Sequence, residues 1–420
     1  MAIVPVELLH EIVDHLRSPE LAAFRLASQT CRAVADPLFF AVLFIPSNRL
    51  HLRKHLNFIR DVAAGNTGWS THATALVVVS AVGRLDDRHA PRAEESEVET
   101  VPGLLVNAIR SCPRLCSFRL SAFQCPAWLF ESVANCTTAF PNVKYLDIEH
   151  EKHTPLLPRV SRVTTLKIST LGRLRRGLVH KKSQGIQLPP SMAQPLLPQV
   201  LEIVRHSPQL RVLQLLGGGS WDDIWKLLAR LRFPLVSLTI DLVTSPLLAY
   251  LRSFSGLAVL EIQRRDKHGT VAADTADDLA QEFFERVLPM HRGSLRIFRC
   301  EAERWPFGNH VVDAIVQMEH LTDFAMCVNV NDAPSIISLA LETLPRLPHI
   351  ERIALCAEVG APFMELVQAA LARFPDLVLV EDTDYIEGRT DWDWLDVALE
   401  ARWDGVNRES HYPVWLQIDR

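Results

Sequence analysis

Two histidines near the start of the chain flank a glutamate and could be taken for zinc ligands. His10, Glu11 and His15 lie in the stretch VPVELLHEIVDHL, residues 4–16. A zinc-binding helix of the H-E-x-x-H type places its histidines four residues apart, on one face. His10 and His15 are five apart, which is about 140° around a helix axis. One ion cannot reach both imidazoles, so we expect no metal site here.

Two further segments resemble sites for phosphate or metal. The segment GGGS, residues 217–220, precedes a helical stretch, but no Lys-Ser/Thr pair follows it and Asp222-Asp223 would repel phosphate. We therefore interpret it as a turn with a helix cap. The carboxylates of Asp382 and Asp384 form an isolated pair in an acidic tail. No G-x-S-x-G element or convincing Cys/His pair is present, so we expect no catalytic residues.

The eight cysteines indicate a reducing compartment rather than a disulfide framework. They are scattered through apolar segments of a long chain. The one cluster, Cys112, Cys116, Cys125 and Cys136, has no C-x₂-C pair, so its spacing does not favour zinc. We expect neither a metal nor another cofactor.

Composition also narrows the class of protein. The chain has 420 residues and a net charge of −5, whereas nucleic-acid proteins usually carry a basic surplus. The longest strongly apolar run, residues 38–45, is far too short to cross a membrane. The first residues also lack the pattern of a secretory signal. We expect an intracellular protein, cytoplasmic or nuclear, that binds neither nucleic acid nor membrane.

The opening segment is better explained as an amphipathic helix. Leu8, Leu9, Ile12, Val13 and Leu16 fall within an arc of about 140°. Two short helices are predicted to follow, the second capped by Ser28 and ended by Asp36-Pro37. Three short helices in about 45 residues form a small core, which gains stability by burying apolar side chains on a partner.

The first 46 residues resemble an F-box. The family pattern is close to L-P-x-E-L-L, a spaced I and L, D-L, then L-V-S, an aromatic, R, A and P-L. The matching residues are Val4-Pro5-Val6-Glu7-Leu8-Leu9, Ile12, Leu16, Glu20-Leu21, Leu26-Ala27-Ser28, Arg32, Ala35 and Pro37-Leu38. Val4, Ala27 and Cys31 depart from the pattern and are smaller than the usual residues.

The resemblance implies a partner. F-boxes bind a Skp-family adaptor, which links them to a cullin in a ubiquitin ligase. The residues that would contact the adaptor are Pro5, Leu8, Leu9, Ile12, Leu16, Leu21, Leu26 and Leu38. The alternative is that Leu8 and Leu9 pack against the rest of this chain.

A repeated motif occupies most of the remaining sequence. An apolar residue, two others, an apolar residue, one other and an apolar residue recur from Ala73/Leu76/Val78 to a degenerate copy at Leu377. From Leu115 to Leu377 there are nine intervals over 262 residues, about 29 each, which is typical of leucine-rich repeats. Such repeats stack into a solenoid, with parallel strands on the concave face and helices on the convex face.

Strand alternation then predicts a target-binding row. In each copy the residue between the last two apolar positions should face the concave surface. These residues are Arg119, Asp147, Lys167, Gln214, Thr239, Glu261, Arg299, Ala325 and Ala354. Six of them are predicted to contact the protein target: Arg119, Asp147, Lys167, Gln214, Glu261 and Arg299. Their mixed signs suit a protein target better than a nucleic-acid backbone.

The expected fold is α/β, with an F-box in residues 1–46 and an irregular solenoid in residues 47–385. Loop insertions are expected near residues 84–100 and 177–199. The tail, residues 386–420, should cap the solenoid through its tryptophans. The predicted function is substrate recognition within an SCF-type cullin–RING ubiquitin ligase, with an unknown protein target and no catalysis by this chain. The alternatives are a leucine-rich-repeat scaffold whose first helices only cap the solenoid, and an enzyme with an unrecognised pocket.

Overall fold

The fold is α/β, and its elements form two compact units. A computed structural model describes residues 4–46, 55–79, 95–121, 131–134, 136, 142–150, 157, 159–170, 196–217, 221–263, 273–300, 305, 309–327, 347–350, 352–356, 377–380 and 413–418. Unit 1 comprises residues 1–168 and 198–209, and unit 2 comprises residues 169–197 and 210–420. Within the described part of the chain, no helix is both long and apolar enough to cross a membrane.

Unit 1 begins with three helices: α1 (Val6–Asp14), α2 (Ser18–Ala27) and α3 (Gln29–Phe39). Their shared core consists of Leu9, Val13, Leu21, Val34 and Ala35, with Leu16, Phe24 and Phe39 packed against it. The predicted cap of α3 is confirmed, since Ser28 Oγ accepts a hydrogen bond from the Cys31 N–H at 3.0 Å.

The predicted end of α3 at Asp36-Pro37 is wrong, because the helix continues to Phe39. The proline therefore lies inside the last turn. Tertiary contacts there offset its missing N–H: Asp36 pairs with Arg25, whose guanidinium lies over the Phe39 and Phe40 rings at 4.9 and 4.5 Å from their centroids.

An aromatic cluster joins the three helices to the first strand, β1 (Val42–Pro46), and to α4 (Leu56–Ala63) and α5 (Gly68–His72). The buried Phe40 ring packs edge-on against Trp69, with centroids 4.6 Å apart, and Phe58 packs on Trp69 at 5.0 Å. The Trp69 indole N–H donates to the Val42 carbonyl at 2.9 Å. A β-carbon on Gly68 would overlap the Phe40 ring, so any larger residue there would require the ring to move.

The sheet of unit 1 follows the repeated motif. Its further strands are β2 (Ala75–Val79), β3 (Ser117–Ser121), β4 (Tyr145–His150) and β5 (Thr165–Thr170), in chain order across the sheet. Strands β1 to β4 are parallel, and Leu76, Phe118 and Leu146 align in register. These side chains are fully buried. Helices α6 (Glu95–Arg110) and α7 (Leu197–Arg205) also belong to this region, and residues 131–134 and 136 are helical as well.

Unit 2 continues the same pattern. Its parallel strands are β6 (Val212–Leu215), β7 (Ser237–Ile240), β8 (Val259–Ile262), β9 (Ile297–Cys300), β10 (Asp323–Cys327) and β11 (Arg352–Cys356). The helices between them are α8 (Asp222–Leu231), α9 (Ser245–Leu251), α10 (Ala273–Glu282) and α11 (Asn309–Ile315). A π-helical turn (Phe283–Val287) and a 3₁₀ turn (Leu288–His291) follow α10.

The end of unit 2 departs from the repeat. The degenerate copy at Leu377 forms β12 (Leu377–Val380), and β13 (Pro413–Ile418) runs antiparallel between β11 and β12. The repeat pattern alone did not predict this strand. Trp392, Trp394, Trp403 and the Asp382/Asp384 pair lie outside the described residues, as does the rest of the tail predicted to cap the solenoid.

Both predicted loops are partly helical. Residues 95–100 belong to α6, and residues 197–199 belong to α7, so the loop predictions are wrong there. The apolar side chains that follow explain this, since Leu105 and Ile109 of α6 and Val200 and Ile203 of α7 are buried. Residues 84–94 and 177–195 lie outside the described part.

The aromatic cluster gives a matched pair of glycine substitutions. We expect Gly68→Ala to lower the free energy of unfolding by about 1–3 kcal/mol, because its methyl group would force the Phe40 ring to move. Gly103→Ala, in α6, meets no atom and should be neutral or stabilising by up to about 1 kcal/mol. Urea denaturation of both variants checks this, and equal effects would show that the Gly68 contact is unimportant.

A buried histidine makes the stability of the fold depend on pH. Burial lowers the pKa of His291 from 6.5 to about 4, although its Nε2 lies 3.2 Å from the Leu251 carbonyl, an arrangement in which Nε2–H can donate. Between these values the unfolded chain binds a proton that the fold excludes, so stability falls as pH drops from 6.5 to 4. The difference corresponds to about 3 kcal/mol in total. Urea midpoints across this range should fall less steeply for His291→Gln, and parallel curves would contradict the assignment.

Candidate functional site

Exposed aliphatic side chains are concentrated on the three N-terminal helices. Nine large hydrophobic residues are exposed in the described part of the chain, and six of them belong to residues 4–38. These six, called the helical patch below, are Val4, Val6, Leu8, Ile12, Leu26 and Leu38. Apolar side chains left exposed on a module this small can be buried by a partner, so the helical patch is a candidate interaction surface.

The residues predicted to bind an adaptor divide into three groups. Pro5, Leu8, Ile12, Leu26 and Leu38 are exposed, and Leu16 is half-buried. Leu9 and Leu21, both about nine-tenths buried at 8% exposure, belong to the core of the three helices. Leu9 and Leu21 were both predicted to contact an adaptor, but their burial means that neither is exposed beside Leu8.

Helix geometry explains the division. Leu8 and Ile12 are four residues apart and form one stripe along α1, while Leu9 and Val13 form a second stripe about 100° away. The second stripe fills the core of the module, which leaves the first to water. The sequence showed one wide apolar arc, and the packing of α2 and α3 determines which part of it is covered.

The predicted row on the outer face of the sheet is aligned in each unit. Arg119 and Asp147 are register partners on β3 and β4, and Gln214, Thr239, Glu261, Arg299 and Ala325 align across β6 to β10. However, most of the charged members contact one another instead of pointing freely to solvent.

In unit 1 the row forms a charged cluster. Arg119 Nε lies 3.7 Å from Asp147 Oδ2, and its Nη2 lies 3.7 Å from Glu149 Oε1. Tyr145 donates its hydroxyl proton to Asp147 at 3.3 Å, and burial raises the pKa of this phenol. The Lys167 ammonium lies 5.6 Å from the centroid of the Tyr145 ring. Asp147 is buried, so only the rim of the cluster reaches water.

In unit 2 Arg299 is the centre of a second cluster. Its two terminal nitrogens contact Glu261 Oε1 at 3.1 Å and Asp323 Oδ1 at 3.5 Å. Thr239 donates to the other Glu261 oxygen at 3.3 Å. Thr239 and Asp323 are buried, so their contacts with Glu261 and Arg299 stabilise the outer face of the sheet. Of the six predicted contacts, Lys167 is half-exposed and has no carboxylate partner among the described residues, and the uncharged Gln214 is half-exposed as well.

Three residues of these clusters were missed: Tyr145, Glu149 and Asp323. Each lies two positions along its strand from a residue of the predicted row, Tyr145 and Glu149 from Asp147 and Asp323 from Ala325, on the same face. Extending the alternation by one step of two residues along each strand would have found all three.

The segments that resembled phosphate, metal or thiol sites have structural roles at those of their residues that the structure describes. The Gly217 N–H donates to the buried Asp241 carboxylate at 2.8 Å, so a carboxylate already occupies the position a phosphate oxygen would need. Gly217 has φ of 104°, which favours glycine. Burial raises the pKa of Cys112 and raises that of Cys136 to about 11, which disfavours the reactive thiolate. Among the described residues, no three His, Cys, Asp or Glu side chains are grouped to hold a metal.

Comparison with known proteins adds no family assignment. No protein-family model matches the chain, and no curated protein matches it. The exposed surfaces of the two units and the short F-box resemblance are therefore the basis for assigning a function.

The Arg299 cluster can be tested by its stability. We expect Arg299→Gln to lower the free energy of unfolding by about 1–3 kcal/mol, since the buried Asp323 loses a charged partner. Lys226→Gln removes an exposed pair with Asp223 and should change stability by less than about 0.5 kcal/mol. Thermal or urea unfolding measures both, and an Arg299 variant as stable as wild type would make the cluster energetically irrelevant.

Proposed function

We propose that this protein is a non-catalytic binding subunit of the F-box type. The helical patch would dock on a Skp-family adaptor, and through it on a cullin. The repeat region, which we interpret as leucine-rich repeats, would hold a protein target. The chain would then act by bringing a target close to a ubiquitin-loaded enzyme, which raises the effective concentration of the reacting groups.

The observation that carries the proposal is the exposure of the helical patch. Leu8 and Ile12 are 47% and 43% exposed, although they lie on a helix whose neighbouring stripe is fully used as core. Covering a leucine or isoleucine side chain contributes about 1.5–3 kcal/mol. A partner that buries the patch would gain this energy without any rearrangement of the core.

The alternative interpretation, a scaffold whose first helices only cap the repeats, predicts that Leu8 and Leu9 are covered by later parts of the chain. The exposure of Leu8 favours the adaptor proposal. The core around Leu9 consists of residues 9–35, which belong to the three helices themselves. An enzyme with an unrecognised pocket has no specific observation in its favour among the described residues.

Lys167 and Gln214 are the best-placed residues for target contact. They are half-exposed on the outer face of strands β5 and β6. Arg119, Asp147, Glu261 and Arg299 would contribute through their rims, because much of their charge is used within the two clusters. A target recognised by the outer sheet face of either unit should therefore have a mixture of polar groups and not a single strong charge.

Substitutions on the two stripes of α1 should separate binding from folding. Leu8→Ala with Ile12→Ala should weaken adaptor binding at least about a hundredfold while the protein stays folded, because both side chains are exposed. Leu9→Ala should instead lower the free energy of unfolding by about 2–5 kcal/mol, because it creates a cavity in the core.

The measurement is co-precipitation of the full chain with a Skp-family adaptor, with circular dichroism as the folding control. Lys167→Glu serves as a matched surface variant and should leave adaptor binding intact. Normal adaptor binding by a folded Leu8/Ile12 variant, or no binding by wild type, would reject the F-box assignment and favour the scaffold interpretation.

A further inference from the structure

One edge of unit 2 combines exposed arginines with exposed aliphatic side chains. It is the edge where the strands begin and the helices end. Its exposed arginines are Arg211, Arg230, Arg232, Arg252, Arg292 and Arg296. The three large hydrophobic residues exposed in the described part of unit 2, Leu231, Val236 and Met290, all lie at the same edge. These nine residues are called the basic edge below.

Strand register brings these residues together. The backbone carbonyl of Arg211 accepts from Val236 N–H at 2.8 Å, that of Val236 accepts from Ala258, and that of Ala258 accepts from Arg296. The four residues therefore form a row just before strands β6 to β9. With strands about 4.8 Å apart, Arg211 and Arg296 lie about 14 Å from each other. Leu231 and Arg232 close α8, and Met290 and Arg292 lie in and just after the 3₁₀ turn.

Helix electrostatics explain only part of this composition. Basic residues near a helix carboxyl end are favourable by about 0.3–1 kcal/mol, which accounts for Arg230, Arg232 and Arg252. Arg211 and Arg296 precede strands, so no helix dipole explains them. Nor does a dipole explain why Leu231, Val236 and Met290 are 46%, 39% and 48% exposed at the same edge.

Ion pairing leaves several of these positive charges available. Arg252 contacts Glu282 at 3.1 Å and Arg292 contacts Glu319 at 3.8 Å. Among the described residues, Arg230, Arg232 and Arg296 have no carboxylate within ion-pair distance. The edge is therefore a set of discrete positive positions separated by paired charges and apolar side chains.

We propose that the basic edge binds an acidic protein segment that also carries aliphatic side chains. Its carboxylates would pair with Arg211, Arg296 and the arginines at the end of α8, and its apolar side chains would cover Leu231, Val236 and Met290. A nucleic-acid backbone offers nothing apolar to these three residues and favours a continuous basic strip. The proposal is independent of adaptor binding, since the helical patch belongs to unit 1.

The probe is a fluorescein-labelled peptide of alternating Glu and Leu residues, titrated with the full chain and followed by fluorescence anisotropy. We expect binding that weakens as salt is raised, because exposed charges are screened. Arg211→Glu with Arg296→Glu should raise Kd at least about tenfold. Leu231→Gln with Met290→Gln should raise the Kd by a similar factor but should leave its dependence on salt concentration almost unchanged.

The matched control is Lys226→Glu with Arg286→Glu, which makes the same change in net charge at two exposed positions outside the basic edge. It should alter Kd by less than about twofold. Equal weakening by the control pair would overturn the proposal, as would failure of wild type to bind the peptide. Binding of single-stranded DNA or of phosphatidylserine vesicles as strongly as the peptide would also overturn it, because the edge would then be a general polyanion surface. Circular dichroism of each variant verifies that the fold is retained.

Discussion

The burial of every second strand residue against the helices is the constraint on which both units depend. Leu76, Phe118 and Leu146 stack in register within unit 1, and Leu213, Leu238, Leu260 and Phe298 do the same within unit 2. All are essentially inaccessible to water. A slip of one residue would move each of these side chains to the outer face, so the register is strongly specified. The same register then determines which polar residues meet on that outer face, including Arg299 with Glu261 and Arg119 with Asp147.

This constraint also explains why the sequence predicted strand positions well. In every copy of the motif from Ala73 to Ile350, the last two apolar residues lie on one of the strands β2 to β11. Alternate burial is the pattern expected of a strand with one buried face, so the motif marks strand positions reliably. The helix cap at Ser28 was also predictable from local sequence, because a serine side chain just before a helix can accept a hydrogen bond from a free N–H of the first turn. Strand β13 was not predictable, because it pairs antiparallel with residues far away in the chain and its sequence does not contain the repeated motif.

The candidate surfaces were harder to predict than the fold. The sequence gives the width of the apolar arc on α1, but the separation of Leu8 from Leu9 depends on where α2 and α3 pack. Likewise, alternation identified Arg119 and Arg299 as outward-facing but could not show that carboxylates from neighbouring strands surround them. Pro37 failed as a helix stop because the Arg25, Asp36 and Phe39 contacts outweigh a local preference. In each case a contact distant in sequence determined the outcome.

Many polar groups on the outer sheet face pair with one another, so partner binding is expected to depend more on other surfaces. Arg299 and Asp147 are committed to partners inside their units, and removing either would destabilise the sheet, so these residues are poorly suited to vary with a target. Within the part of the chain that the structure describes, the large exposed aliphatic side chains are instead found at two places, the N-terminal helices and the basic edge of unit 2. Both can gain energy from a partner without disturbing the core, since none of their exposed side chains fills it. A chain arranged in this way can change its partners through surface substitutions while the register that specifies its fold stays fixed.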